Sequence, residues 1–229
     1  MLVFLHGMWC NSNVWHNFIE YFKARNYTCE AIDIKKGLDL KQATFMDYVN
    51  KVDSIVGKDD VLIGHSMGGL IVQKMAEKKK IKGGIAICSA PPKGVGFGNF
   101  SLTLHSLKFL PKIIAGKPFM PGSDFVKKFI ANCIDETKID KVIEKMEMES
   151  PHVAYELAMA KIRVDEKKIQ SPLLFIATKE DRLSPPEVVK KIAEKYNAEF
   201  VVKEGCHWIF DDWKEIAEEI AKFLVRIYE

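Results

Sequence analysis

The sequence lacks the features that would assign it to several common functional classes. Its formal net charge is only +3 over 229 residues, with lysines spread among glutamates, so no surface for nucleic acid or for a membrane is indicated. No apolar run approaches the length of a transmembrane helix. No spacing of cysteine and histidine is typical of a zinc site. We therefore expect no nucleic-acid partner, no transmembrane segment and no bound metal.

Cysteine is also scarce, with five residues scattered along the chain. An odd, widely spaced set fits reduced intracellular thiols better than a disulfide framework. Cys10 and Cys206 lie close in sequence to the candidate site described below, and we interpret both as small buried apolar residues. The apolar run from Met1 to Leu5 is too short for the core of a signal peptide. A cytoplasmic location follows as the default expectation.

The sequence does contain a regular alternation of strand and helix patterns. With 48% hydrophobic and 28% charged residues, the chain can bury a sizeable core. The alternation predicts an α/β fold with a mostly parallel central sheet of about six strands flanked by helices. Gly83 and Gly84 are expected to end a helical pattern before the fourth strand. The predicted strands are residues 2–5, 28–34, 61–63, 85–88, 172–177 and 199–203, and predicted helices include 14–25, 45–56, 187–196 and 212–227.

The alternation stops between residues 93 and 167, where helical patterns are broken by prolines. The stretch from Phe97 to Met120 carries more apolar residues than one helix face packed on a sheet requires. We interpret residues 93–167 as a helical lid inserted into a core formed by 1–92 and 168–229. Most of its apolar residues are expected to pack internally, and a subset to line a pocket. The candidate pocket residues are Trp9, Phe97, Phe100 and Leu107.

A serine stands at the centre of the motif VLIGHSMGGL, residues 61–70. An apolar run precedes it and an apolar helical pattern follows, which predicts a strand, a tight turn and a helix with Ser66 at the turn. Gly64 and Gly68 permit the close backbone approach of such an elbow. The first turn of the helix leaves the Met67 N–H free to donate to an oxyanion. A turn that merely connects strand and helix is the alternative.

The run Gly-His-Ser-Met-Gly-Gly resembles the nucleophile motif of the serine hydrolases of the α/β-hydrolase superfamily. The resemblance implies that an acid and then a base follow Ser66 in the chain. It implies Asp181 as the acid, with the neighbouring Glu180 as the alternative. The implied base is His207 in the loop after the last strand. Here the sequence departs from the family, because Cys206 stands where the family has glycine directly before this histidine.

The first strand leads into His6-Gly7-Met8-Trp9. In the resembled family, a His-Gly pair at this position begins the loop whose backbone N–H completes the oxyanion hole. That correspondence implies Met8 as the second donor, or Trp9 as the alternative. It also implies that the first two strands of the family are missing. We interpret His6 as a structural histidine that hydrogen-bonds the loop.

The resemblance implies a lidded, lipase-like carboxylesterase that acts on small apolar esters of short to medium acyl chain. The triad of Ser66, Asp181 and His207 requires neither a metal nor an organic cofactor. The same triad also serves thioester, amide and C–C bond hydrolysis, perhydrolysis and hydroxynitrile lysis, which the motifs do not separate. The alternative from another class is a non-catalytic ligand receptor of the same fold.

Overall fold

The computed structural model describes residues 1–96 and 107–229. The predicted pocket residues Phe97 and Phe100 therefore lie outside the described residues. The strands are β1 (Leu2–Leu5), β2 (Cys29–Ile32), β3 (Val61–His65), β4 (Gly83–Ile87), β5 (Leu173–Thr178) and β6 (Glu199–Lys203). They form one sheet in the order β2-β1-β3-β4-β5-β6, and every neighbouring pair is parallel. The predicted α/β fold with six parallel strands is confirmed.

Nine described α-helical segments accompany the sheet. One of them, at residues 45–53, begins with a capping box in which Thr44 and Asp47 each bond the other's backbone N–H. Within the described ranges, no helix is both long and apolar enough to cross a bilayer. The helices are α1 (His16–Lys23), α2 (Phe45–Asp53), α3 (Met67–Lys78), α4 (Leu110–Ile114), α5 (Ser123–Phe125), α6 (Ile139–Glu144), α7 (Pro151–Ala158), α8 (Pro186–Lys195) and α9 (Lys214–Tyr228).

The sheet has a hydrophobic core on each face. Successive strand residues point to opposite faces, so Phe4 of β1 belongs to the core that includes Phe18 of α1 and Phe223 of α9. Its neighbour Val3 belongs to the second core, which includes residues of α2, α3 and α8 such as Ile71. Burial on both faces explains why β1, β3, β4 and β5 are continuous apolar runs.

Gly83 and Gly84 lie inside β4, so the prediction that they end a helical pattern was wrong. A Cβ at Gly83 would come within 2.8 Å of Ile227 in α9, and one at Gly84 within 2.8 Å of Val72 in α3. Together with Leu173 of β5, which would lie 2.6 Å from a Cβ on Gly84, the helices on both faces leave little room for larger side chains at these two positions. Two adjacent glycines resemble the end of a helix when only the local sequence is considered. Their packing partners are distant in the chain, so the sequence does not show that they belong to a strand.

A long stretch of chain joins β4 to β5. We call its residues 107–169 the inserted segment. It contains α4 to α7, several 3₁₀ turns and a π-helical turn at Val126–Ile130. Its described part adds no strand to the sheet, although Phe119 and Glu149 form an isolated antiparallel bridge. The helical character expected for this region is present. The division at residues 93 and 167 stays a prediction.

The inserted segment is linked covalently to the loop after β6. Cys133 and Cys206 form a disulfide with their Cα atoms 5.5 Å apart, whereas Cys10, Cys29 and Cys88 are free. The expectation that all five cysteines are reduced thiols was therefore wrong for this pair. The two cysteines are 73 positions apart, so the fold alone makes them neighbours.

Candidate active site

Ser66 lies at a strained turn between β3 and α3. Its φ of +54° is unusual for a residue with a Cβ, and such outliers cost about 1–3 kcal/mol and cluster at active sites. A Cβ on Gly68 would overlap the carbonyl oxygen of Leu5, and one on Gly64 would overlap the backbone of Gly68. The elbow therefore requires both glycines, as the motif predicts.

Asp181 and His207 form a buried hydrogen-bonded pair in the loops after β5 and β6. Nδ1 of His207 and Oδ2 of Asp181 are 2.8 Å apart. The backbone N–H groups of Leu183 and Ser184 both donate to Oδ1 of Asp181, and each N···O distance is 2.8 Å. With its Nδ1–H donating to Asp181, neutral His207 keeps Nε2 as a proton acceptor. Glu180, the alternative acid, is exposed.

Ser66 and His207 lie on the wall of one cavity of about 240 Å³. The loop after β1 contributes Met8 and Trp9 to this wall, and the inserted segment supplies much of the rest. Of the predicted pocket residues, the structure therefore places Trp9 and Leu107 at the cavity. Such an apolar lining favours apolar ligands. The side chains from the inserted segment include Leu107, Phe109, Ile113, Phe119, Phe125 and Met146.

The loop after β1 passes directly over the elbow. A Cβ on Gly7 would lie 3.0 Å from Cβ of Ser66. His6 is fully buried, with Nδ1 2.9 Å from the carbonyl oxygen of Gly7 and Nε2 3.1 Å from the backbone N of Ile34. Nδ1 donates to the carbonyl oxygen of Gly7, and Nε2 faces both the N–H of Ile34 and, at 3.6 Å, Oδ1 of Asp33. His6 thus holds the loop, as its structural interpretation predicts.

Two backbone N–H groups beside Ser66 remain available. Among the described residues, no hydrogen-bond acceptor pairs with the N–H of Met8 or with that of Met67, the first residue of α3. The N–H of Trp9, by contrast, faces Oε2 of Glu149 at 3.3 Å. The geometry therefore favours Met8 over Trp9 as the second donor to an oxyanion.

His65 has a supporting position that the sequence analysis did not assign to it. Its Nε2 donates to the carbonyl oxygen of His207 at a distance of 2.9 Å, and the centroids of the two imidazole rings lie 4.8 Å apart. Burial holds the pKa of His65 well below its usual value, so the ring is neutral at physiological pH. The sequence places His65 next to Ser66 but carries no signal of its contact with a loop 142 residues away.

Cys88 lies beneath the Asp181–His207 pair at the end of β4. Its Sγ is 3.3 Å from Oγ1 of Thr178, whose hydroxyl donates to the carbonyl oxygen of Cys206. Burial and the charge of Asp181 raise the pKa of the Cys88 thiol well above its usual value. Ligand atoms of His65, Cys88 and His207 lie within 4.8 Å of one another. Because the thiol is held neutral and Nδ1 of His207 already hydrogen-bonds Asp181, these three side chains make a poor set of ligands for a metal ion.

Comparison with curated proteins finds relatives that are esterases. The chain is 27% identical over 138 residues to pimeloyl-(acyl-carrier protein) methyl ester esterases of Yersinia pseudotuberculosis and Yersinia pestis. This match covers 57% of the chain and 50% of the relatives, so the chain spans about half the length of the curated relatives it matches.

Solved structures show the same fold over nearly the whole chain. A lipase-esterase related protein from Clostridium acetobutylicum is 24% identical, with a TM-score of 0.72 over 97% of this chain and 93% of that one. An extracellular alpha/beta-hydrolase from a Paenibacillus species is 18% identical, with a TM-score of 0.76 over 96% and 97%. The family model described as "Alpha/beta hydrolase family" matches residues 2–219, and the chain therefore belongs to the alpha/beta hydrolase family.

Proposed function

We propose that this α/β-hydrolase cleaves carboxylic esters of apolar, short to medium acyl chains through an acyl-enzyme on Ser66. One observation carries the proposal: His207, which is hydrogen-bonded to buried Asp181, and Ser66 on its strained elbow both line the same apolar cavity. The strained backbone conformation of Ser66 is explained if it serves to present the serine hydroxyl to a substrate.

Acylation begins when the hydroxyl of Ser66 attacks the ester carbonyl carbon while Nε2 of His207 takes its proton. The N–H groups of Met67 and Met8 receive the negative charge that develops on the carbonyl oxygen. Oδ2 of Asp181 accepts the Nδ1–H of His207, and the negative charge of the carboxylate stabilises the imidazolium, while two backbone N–H groups hold Oδ1 in place. The C–O bond then breaks, and the alcohol leaves with the proton from His207.

Deacylation repeats these steps with water. His207 removes a proton from the water as it attacks the acyl carbon, and the same two N–H groups stabilise the oxyanion. Collapse of the intermediate releases the carboxylic acid and returns the proton to Ser66. Every step uses groups of this chain, so the cycle requires no cofactor.

The inserted segment acts as the lid that selects the substrate. It supplies much of the cavity wall, including Phe109, Ile113 and Phe125, and those side chains offer no charged partner for a polar acyl group. The curated relatives are methyl ester esterases, and hydrolysis of a methyl ester is a reaction of the same class. This supports a small-molecule ester as substrate.

The proposal is tested by labelling and by turnover. We expect a fluorophosphonate probe to modify Ser66, identified by peptide mass spectrometry, and p-nitrophenyl esters to be hydrolysed with multiple turnovers. Labelling without turnover would indicate a ligand receptor with a reactive serine. If the probe does not label Ser66 and no ester is hydrolysed, the assignment of Ser66 is contradicted.

A further inference from the structure

Glu149 is a fully buried carboxylate that belongs to the inserted segment. The hydroxyl of Tyr48 donates to its Oε1 at a distance of 2.6 Å, and the backbone N–H of Ser150 donates to the same oxygen at a distance of 2.8 Å. The backbone N of Trp9 lies 3.3 Å from Oε2. All three partners are donors, and the oxygens of the Glu149 side chain accept from each of them. A buried carboxylate is costly without such partners, so its position beside the loop after β1 calls for an explanation.

The inserted segment binds both polar groups of the Trp9 backbone. The side chain of Glu149 accepts the N–H of Trp9, and the backbone N–H of Glu147 donates to the carbonyl oxygen of Trp9 at a distance of 2.6 Å. Trp9 has φ +60°, a left-handed conformation that is unfavourable for a residue with a Cβ. Lys35, itself buried, donates to the carbonyl oxygen of Met148 and so holds this part of the segment in place. The conformation of Trp9 therefore depends on residues 147–149.

This contact also constrains the peptide groups on either side of Met8. Each peptide unit is planar, so an N–H or a C=O held at one edge sets the direction of the whole unit. His6 holds the carbonyl of Gly7, which shares its peptide unit with the N–H of Met8. Glu149 holds the N–H of Trp9, which shares its unit with the carbonyl of Met8. The two contacts together limit how the Met8 N–H can turn.

We propose that Glu149 is a positioning residue through which the inserted segment orients the Met8 N–H toward the oxyanion. The inference rests on the proposed function, because it assumes an oxyanion formed at Ser66. Burial and the nearby Glu149 charge raise the pKa of Tyr48, which keeps its hydroxyl protonated as a donor to this carboxylate. When Glu149 is lost, the Met8–Trp9 peptide unit loses its side-chain acceptor, and the contact between His6 and Gly7 alone is left to orient the neighbouring unit that carries the Met8 N–H.

Three variants separate positioning from general support. Glu149→Gln keeps the shape of the side chain but replaces one acceptor oxygen with an NH₂ donor. With the amide oxygen at the Oε1 position, Tyr48 and Ser150 keep their acceptor and only the Trp9 N–H loses its partner. Tyr48→Phe removes a donor and leaves the carboxylate in place. Glu156→Gln is the matched control, because Glu156 also belongs to the inserted segment and also accepts a core backbone N–H, that of Phe45, over 2.8 Å. It does not line the cavity.

The measurements are kcat and KM for a p-nitrophenyl ester and the inhibition constant of a trifluoromethyl ketone, which forms an oxyanion with the serine. Loss of an oxyanion donor costs about 10²–10³ in kcat, and a misplaced donor costs less. We expect Glu149→Gln to lower kcat roughly 10- to 100-fold, with KM nearly unchanged. The inhibitor should weaken in proportion. Tyr48→Phe should show a smaller loss of the same kind, and Glu156→Gln should retain both constants.

Two outcomes overturn the inference. One is a kcat for both Glu149→Gln and Tyr48→Phe equal to that of Glu156→Gln. The other is a loss that appears in KM or in thermal stability while inhibitor binding is unchanged, since this describes a merely structural residue. If Glu149→Gln does not fold, Tyr48→Phe decides alone. Absence of ester turnover in the unmodified protein contradicts the proposed function instead, so the two failures are distinguishable.

Discussion

The loops at the ends of the strands and the inserted segment contribute to the cavity in different ways. Ser66, Asp181 and His207 follow β3, β5 and β6, at the carboxyl edge where open parallel sheets bind their ligands. The inserted segment supplies apolar walls and, through Glu149, a contact to the loop after β1. Under the proposed function, the reactive groups follow strands of the sheet, whereas the inserted segment determines the shape of the substrate pocket and, through Glu149, the orientation of one oxyanion donor. This division lets one sheet support many reactions through changes in the insertion.

The largest effect is expected from Ser66→Ala, which removes the nucleophile from the sheet side of the comparison. We expect kcat for a p-nitrophenyl ester to fall about 10⁴-fold or more, by analogy with other triad knockouts. The variant should stay folded, because the elbow depends on Gly64 and Gly68 rather than on the hydroxyl. Circular dichroism checks the fold. Retention of more than about a tenth of the activity would contradict the assignment.

The next largest effect is expected from Asp181→Asn. The amide cannot both accept the Nδ1–H of His207 and bind the two backbone donors in the same way, so the histidine loses its tautomer and orientation. We expect a loss of kcat of about 10³-fold or more. Its matched control is Glu180→Gln, an exposed neighbour that should retain activity. The opposite order of these two variants would move the acid to Glu180.

The disulfide provides a test of how firmly the two regions are joined. Cys133 and Cys206 close a loop of 73 positions, and a cross-link of that length contributes about 4 kcal/mol in the chain-entropy model. We expect Cys133→Ser to lower the free energy of unfolding in urea by up to that amount, and to make unfolding insensitive to a reductant. Cys29→Ser, which changes a free thiol, is the control. Equal stability of the native protein with and without reductant would contradict a stabilising bond.

The smallest effect concerns the walls supplied by the inserted segment. Each buried methylene contributes about 0.8 kcal/mol, so kcat/KM should rise several-fold per two-carbon step from acetyl to medium-chain esters and then drop. Ile113→Ala should reduce this rise, because Ile113 lines the cavity. Its neighbour Ile114 is 77% exposed and does not line the cavity, so Ile114→Ala is the control. A steady decline from acetate would contradict an apolar acyl pocket.

Much of the sheet could be predicted because its information is local. Continuous apolar runs mark strands buried on both faces, and Gly64 and Gly68 mark a turn in which the backbone must approach itself closely. For the same reason, Ser66, Asp181 and His207 could be nominated from motifs that each span a few residues. The structure then brings Asp181 rather than Glu180 to His207, a choice that depends on the turn of one loop.

What the tertiary structure decided are the contacts between residues far apart in the chain. The glycines of β4 are required by α3 and α9, Cys133 meets Cys206 across 73 positions, and Glu149 reaches Trp9 across 140. None of these pairs has a local pattern, because each follows from how helices and loops pack once the sheet is formed. The sequence by itself therefore determined the α/β order of elements and the candidate triad, while packing decided the cavity wall, the cross-link and the contact between Glu149 and the loop after β1.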